Sequence, residues 1–263
     1  MRSTYLLSFL ILLIGCEIPE FEEDNPFDPN NPDYVAPSVT INSGPSENET
    51  ITAPSTAFSW VGNTEGMTFR YFFDGSLKQE WNDVNSVVFE NLDEGIHQFG
   101  VQGKYPTGDV SDTVFVNFNV DAVAGPSLLF YPRKQISPAG GKLQFEILAE
   151  EVDGLAAASF KLAYNASLVQ IDSIVIGDYI GGNTESIFYK VIDNSSGKVS
   201  VITALLGDGS PTFSGTSSIA RIYLTVKANG LSQIEFDGTE TFRNVDNEVI
   251  NINSAIGGII GQN

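Results

Sequence analysis

The sequence predicts an all-β protein built from two tandem β-sandwiches. After residue 37, most apolar residues fall in short segments in which polar and apolar side chains alternate, which is the period of a strand with one buried face. Glycine, proline and asparagine separate these segments, and no stretch has a convincing helical period. Many short strands with turn residues between them are typical of sandwiches.

Charge and cysteine content exclude several classes of protein. The chain has 263 residues, with 33 acidic and 13 basic side chains and a formal net charge of −20. Nucleic-acid binding requires a basic surface, so we predict no nucleic-acid partner. A single cysteine cannot form an internal disulfide. The fold must therefore depend on hydrophobic burial, for which 42% hydrophobic residues suffice.

Residues 1–15 are predicted to be a signal peptide. Arg2 precedes an almost entirely apolar run over residues 5–14. This run is too short for a membrane-spanning helix, which needs about 20 residues, but it fits a secretory hydrophobic region. The tetrad Leu13-Ile14-Gly15-Cys16 resembles the lipobox of bacterial lipoprotein signal peptides.

The lipobox resemblance implies cleavage between Gly15 and Cys16 and attachment of lipid to Cys16. More than one acyl chain gives stable anchoring without a spanning helix. The residue after the cysteine is Glu17 rather than the aspartate that often signals inner-membrane retention in lipoproteins, which favours the bacterial outer membrane. The alternative is an ordinary signal peptide with a chance cysteine.

Residues 16–37 are predicted to be a disordered acidic tether. They contain seven acids, no bases and five prolines. Prolines favour extended polyproline II and like charges stretch the chain, so 22 residues could span about 70 Å at roughly 3.1 Å each. The alternative is a calcium loop, because calcium prefers oxygen ligands. Its candidate ligands are Asp24, Asn25, Asp28, Asn30 and Asp33.

Residues 38–124 are predicted to form the first sandwich. Predicted strands cover residues 38–42, 56–61, 68–73, 87–89, 96–101 and 113–120. Residues 92–101 resemble the corner and sixth strand of fibronectin-type and other Ig-like modules, with His97 where an aromatic usually stands.

His97, Trp60 and Trp81 have distinct predicted roles in this module. The only histidine, His97, is predicted to hydrogen-bond the backbone at the corner rather than act as a base or ligand. Trp60 is predicted to be core, because it lies mid-strand between alternating neighbours. Trp81 lies in a polar stretch, where it could cap the sandwich or stack on a sugar ring.

Residues 125–263 are predicted to form a larger sandwich of about nine strands, the size of a jelly roll. Its segments resemble the cohesin domain in their order. The matching segments are residues 154–168, 176–178, 197–201, 219–227 and 258–260. One departure is Asn165, where cohesins usually have aspartate.

The cohesin resemblance implies a protein-recognition module that binds dockerins through one sheet face, and it leaves the binding residues unassigned. Jelly rolls also host carbohydrate-binding modules, which usually present a planar aromatic strip, often with tryptophan. This region has no tryptophan, and most of its tyrosines and phenylalanines are predicted to face the core.

We predict no enzyme, no cofactor and no metal site. The sequence contains no Gly-x-Ser-x-Gly elbow, no His-Glu-x-x-His and no phosphate-binding loop. The lipid uses the sole thiol, although a carboxylate pair for glycoside hydrolysis stays open. The predicted function is a lipid-anchored surface protein that recognises dockerin-type or other proteins. Polysaccharide binding and a purely structural envelope role are the alternatives.

Overall fold

The computed structural model describes residues 25–181, 185–209 and 211–261. The lipid-attachment residue Cys16 and the cleavage residue Gly15 lie outside these ranges. The described residues form strands and one 3₁₀ turn, Asp178–Ile180, so the all-β prediction is confirmed. Among the described residues there is no apolar helix of the length that a bilayer crossing requires.

The first sandwich contains eight strands in two sheets. The strands are β1 (Val39–Ser43), β2 (Glu49–Ile51), β3 (Ser55–Gly62), β4 (Thr68–Phe73), β5 (Ser76–Asn82), β6 (Ser86–Glu90), β7 (Gly95–Lys104) and β8 (Val114–Val120). One sheet has the order β1-β3-β6 and the other β2-β8-β7-β4-β5. Two of these strands, β2 and β5, are additional to the predicted segments.

Aromatic rings fill the space between these two sheets. Phe99 on β7 is fully buried and stacks on Phe58 of β3, with 4.1 Å between ring centroids. Trp60 is also buried, as predicted, and its ring centroid lies 5.6 Å from that of Phe99. Alternation along each strand directs these side chains inward.

The second sandwich contains thirteen described strands. They are β9 (Ser127–Tyr131), β10 (Lys134–Ile136), β11 (Lys142–Leu155), β12 (Ala157–Tyr164), β13 (Val169–Ile176), β14 (Ser186–Asp193), β15 (Lys198–Leu205), β16 (Phe213–Val226), β17 (Ser232–Phe236), β18 (Thr241–Arg243), β19 (Val249–Ile250), β20 (Ser254–Ile256) and β21 (Gly258–Gly261). Thirteen strands exceed the predicted number of about nine, and β10, β18 and β20 are only three residues long.

One sheet has the order β13-β16-β11-β9-β20, and the other follows β10-β21-β17-β12-β15-β14, with β18 paired to β12 and β19. The core between them includes Phe130, Phe145 and Phe160. The last two strands join different sheets, since β20 pairs with β9 and β21 with β17. Residues 254–261 therefore contribute backbone hydrogen bonds to both sheets.

The prediction of an extended tether is wrong for residues 25–34. These residues form successive turns in which Asn25, Asp28 and Asn31 side chains accept backbone N–H groups. The ring centroid of Phe27 lies 4.9 Å from that of Tyr105, and Tyr34 also packs on the first core. Side-chain capping satisfies the backbone and two aromatic rings supply apolar contact, which the count of acids and prolines did not reveal.

Candidate interaction face

The outward side of β12, β15 and β14 forms one continuous surface. Alternation places Phe160, Val199 and Val201 in the core and their neighbours outside. On the edge strand β14, Ile187, Tyr189 and Val191 are all exposed. We call the outward residues of these three strands the apolar face. They are Ala157, Ser159, Lys161, Ala163, Ile187, Tyr189, Val191, Asp193, Lys198, Ser200, Ile202 and Ala204.

Strand register arranges the apolar face in rows. Tyr189 pairs with Ile202, which pairs with Ser159 on β12. The neighbouring row joins Ile187, Ala204 and Ala157 in the same way. Tyr189 is 58% exposed and Ile202 49%, while alanine and serine flank them. Large apolar side chains therefore stand above a floor of small ones, which makes a surface suited to another protein.

The apolar face continues into a cavity of about 320 Å³ at one end. Ala157 and Ala204 belong to both, and Leu206 and Val245 form half-exposed apolar walls. The guanidinium of Arg243 lines the same cavity and donates to the backbone oxygen of Asn247 at 2.7 Å. The cavity offers space for an apolar side chain beside a cation.

The opposite end of the apolar face is charged. The Asp193 carboxylate accepts hydrogen bonds from the hydroxyls and N–H groups of Ser195 and Ser196, which hold its pKa well below the usual range. The Nζ atom of Lys161 lies 3.8 Å from Asp237. The bonds to Asp193 fix the β14–β15 turn, and the charged side chains of Asp193 and Lys161 give the surface a polar border.

Asn165, which stands where the cohesin resemblance would place aspartate, preserves the local turn. Its Oδ1 atom accepts the N–H of Ser167 at 3.0 Å, a role that asparagine and aspartate share. Asn194 makes a second link, because its side chain bonds the backbone of Ile171 in the other sheet and accepts the hydroxyl of Tyr164.

His97 lies at the corner that the sequence predicts. Its Nδ1 atom is 2.8 Å from Oδ2 of Asp74, and its Nε2 atom is 2.9 Å from the backbone oxygen of Asp93. Both partners are acceptors, so the protonated ring satisfies both. Burial alone lowers the pKa of His97, but the bonds to Asp74 and Asp93 outweigh it and the pKa is raised. The predicted backbone contact is present, and Asp74 is a partner that the sequence did not suggest.

The His97–Asp74 pair is expected to make the first sandwich less stable as pH rises above 6.5. A raised histidine pKa contributes stability below its ordinary value of 6.5, and this is lost as pH rises through the folded-state pKa. The lowered pKa of Asp74 contributes above 3.8 and is lost on acidification through its folded-state pKa. Denaturant titrations at several pH values should show a change of about 0.5–1 kcal/mol, because Asp74 is half exposed.

The variant His97→Gln is the control for this pH dependence. The variant should remove the decline in stability above pH 6.5, while the loss of stability on acidification should persist. The same decline in the variant would contradict the assignment to His97.

Trp81 lies on the outward side of β5 and touches two cations. Its ring centroid is 4.7 Å from Cζ of Arg70 and 4.6 Å from Nζ of Lys104. The indole therefore ties β5 to strands β4 and β7, which agrees with the capping alternative.

Several predicted placements differ in the second sandwich. Its phenylalanines at 130, 145, 160 and 242 are fully buried, as predicted, but Tyr131, Tyr189 and Tyr223 are exposed. The sequence did contain a signal at β14. Four of the five residues in Ile187–Val191 are apolar, which exceeds what a strand with one buried side requires.

The described residues include no group of three or more histidine, cysteine or acidic side chains arranged to hold a metal ion. The calcium candidates Asn25, Asp28 and Asn30 take part in turn hydrogen bonds. The backbone N–H of Asp33 donates to Oδ1 of Asn31 in the same turns. Asp24 lies outside the described ranges.

Comparison with known proteins identifies the region that carries the apolar face. The family model of the cohesin domain matches residues 133–259. No curated protein sequence matches the chain.

Solved structures similar to this chain include three cohesins. A non-cellulosomal cohesin from the archaeon Archaeoglobus fulgidus is 15% identical, with 51% of this chain and 88% of that chain covered and a TM-score of 0.42. The sixth cohesin of scaffoldin B from Acetivibrio cellulolyticus, in complex with a dockerin mutant, is 16% identical, with 53% and 100% covered and a TM-score of 0.46. A cohesin in a type I cohesin–dockerin complex from Clostridium thermocellum is 15% identical, with 52% of this chain and 98% of that chain covered and a TM-score of 0.46.

Proposed function

We propose that this chain is a non-catalytic, lipid-anchored protein of the bacterial cell envelope that binds a dockerin-type protein through the apolar face. The observation that carries the proposal is the cohesin-domain match over residues 133–259, the region that contains the face. Cohesins bind dockerins through one sheet surface, and the apolar face is an exposed apolar sheet surface of that module.

The chemistry of the apolar face favours a protein partner over a sugar. Ile187, Val191 and Ile202 are aliphatic, and Tyr189 is the only aromatic residue among its outward positions. A sugar site usually offers several flat rings, whereas a protein interface buries aliphatic and tyrosine side chains within a polar border.

Polysaccharide binding is the second candidate, and its support lies on the first sandwich. Phe72 and Trp81 lie on the outward side of β4 and β5, near the guanidinium of Arg70. Phe115 on β8 is half exposed on the same sheet. Rings beside a cation suit an acidic sugar chain.

The anchoring part of the proposal depends on Cys16 and Glu17. Lipid on Cys16 would hold the chain at the outer membrane, and residues 17–24 would join the anchor to the turns that begin at Asn25. A purely structural envelope role is the outcome if neither a protein nor a glycan binds.

Binding to dockerins is expected to depend on Tyr189 and Ile202. The complete protein would be titrated calorimetrically with purified dockerin-bearing proteins encoded in the same genome. The double variant Tyr189→Ala, Ile202→Ala should weaken binding by about 100-fold or more, because buried anchors dominate interface energetics.

The matched control is Tyr223→Ala on β16, in the opposite sheet. Tyr223 is 37% exposed and faces outward, so its loss should change affinity less than about threefold. Equal losses in both variants, or unchanged binding in the double variant, would contradict the assignment of the apolar face. A glycan array positive for the protein with no dockerin bound would favour the second candidate.

A further inference from the structure

The segment that links the two sandwiches is held by carboxylates from both sides. The N–H of Ala122 donates to Oε2 of Glu94 in the first sandwich at 2.9 Å. The N–H of Gly125 donates to Oε2 of Glu151 in the second sandwich at 2.9 Å. The linker is thus bonded to a side chain of each neighbour.

A direct contact joins the sandwiches beside this linker. The N–H of Arg133 donates to Oδ1 of Asp93 at 2.5 Å, and its guanidinium donates to the backbone oxygen of Leu92 at 3.3 Å. Arg133 is buried, and its Nη1 atom lies 3.9 Å from Oε1 of Glu94. These contacts are possible only while the two sandwiches stay together.

Glu94 and Glu150 meet at a cavity of about 350 Å³ in this joint. Glu94 precedes β7 of the first sandwich, and Glu150 lies on β11 of the second. Within the described part of the chain, Oε1 of Glu94 and Oε2 of Glu150 are buried and accept no hydrogen bond. A buried carboxylate oxygen without a donor is costly, and two such groups of like charge cost more.

The charged groups around the cavity add to the cost of ionising Glu94 and Glu150. Acids dominate the joint. Two bases lie beside it: the guanidinium of Arg133, 3.9 Å from Glu94, and the ring of His97, 2.9 Å from the backbone oxygen of Asp93. The titratable and polar groups facing Glu94 and Glu150 are Asp93, Asp121, Glu151, Arg133, Tyr131, Asn119 and Thr216.

Burial is the main cause that raises the pKa of both carboxyls. For Glu150 the charges of Glu94, Glu151 and Asp121 raise it further, against a hydrogen bond from Thr216. For Glu94 the N–H of Ala122 and the charge of Arg133 oppose burial without cancelling it. Both groups therefore hold protons to a higher pH in the joined arrangement than in free solution.

We propose that Glu94 and Glu150 form a proton-operated latch that sets how firmly the two sandwiches are joined. A protonated carboxyl supplies the donor that the buried oxygens lack and removes one of two like charges. Ionisation of both groups loosens the joint, so the position of the apolar face relative to the first sandwich becomes less restricted.

The raised carboxyl pKa values determine how joining of the sandwiches depends on pH. The joined arrangement binds more protons than the separated one, because its carboxyl pKa values are raised above the ordinary 4.5. Joining is therefore favoured as pH falls through the raised values and is weakened as pH rises through them.

Hydrogen exchange of the complete protein tests the latch. The amides of Ala122, Gly125 and Arg133 donate the hydrogen bonds of the joint, so their protection reports its opening. Protection factors, which divide out the intrinsic pH dependence of exchange, should fall about tenfold between pH 5 and pH 7.5, because the joined arrangement binds more protons than the separated one. The core amide of Phe145, in the second sandwich, should not change.

The variant Glu150→Gln keeps the shape of the side chain and removes its charge. Its joint amides should stay protected at both pH values, with less than about a twofold change. Glu90→Gln, at an exposed position of the first sandwich, is the matched control and should keep the full pH dependence. If Glu150→Gln lowers protection of the core amide, Glu94→Gln replaces it, since the amide oxygen of glutamine still accepts the N–H of Ala122. Constant protection at the joint in the unaltered protein, or pH dependence that survives both variants, overturns the latch.

Discussion

The variant Cys16→Ala is expected to leave the membrane fraction and to be recovered as soluble protein. Each buried methylene of an acyl chain contributes about 0.8 kcal/mol, so loss of the lipid removes the main attraction to the bilayer. The strongly acidic mature chain does not replace it, because an anionic surface repels a protein of net negative charge. Fractionation followed by immunoblotting measures the change.

The matched control for the anchor is Glu17→Asp, which leaves the cysteine intact. It should stay in the membrane fraction while moving from outer to inner membrane, since aspartate at this position often retains lipoproteins there. Cys16→Ala protein that still sediments with membranes after a high-salt wash would refute the anchor.

The variant Phe99→Ala is expected to lower the free energy of unfolding of the first sandwich by about 3–5 kcal/mol. The ring is fully buried and stacks on Phe58, and its centroid also lies 5.6 Å from that of Trp60 and 6.2 Å from that of Tyr71. Its removal leaves a cavity that rigid aromatic neighbours cannot refill. Tryptophan fluorescence during denaturation isolates this effect, because both tryptophans, Trp60 and Trp81, lie in the first sandwich.

The control for this core prediction is Phe115→Ala on the neighbouring strand. Phe115 is 50% exposed, so its loss should cost about 0.5 kcal/mol. Equal costs at Phe99 and Phe115 would show that ring burial does not govern stability here.

Strand periodicity predicted most elements because one buried face imposes alternation. The strands that were not predicted lack a detectable alternation of polar and apolar residues, for two reasons. Strand β5 lies at a sheet edge and is mainly polar, so it carries no buried stripe. Strands β2, β10, β18 and β20 are three residues long, too short for any period to appear.

The sequence is sufficient to predict one part of the candidate site, Cys16, but not the other, the apolar face. Cys16 is identified by residues that adjoin it in the chain, so the sequence suffices for that prediction. The apolar face depends on register between strands that are distant in sequence, such as Ile202 of β15 opposite Ser159 of β12. No local pattern predicts which strands become neighbours. Among the three strands of the apolar face, only β14 has a local excess of apolar residues.

The sequence by itself determined the all-β class, the turn positions, the corner role of His97 and the lipobox resemblance, because each depends on residues within a few positions. The tertiary structure decided which tyrosines face outward, that Asp74 bonds His97, and that acids from two sandwiches meet at one joint. It also decided that residues 25–34 fold against the first sandwich through Phe27 and Tyr34. Burial and charge repulsion depend on distance in space, and distance in space follows from sheet order rather than from position along the chain.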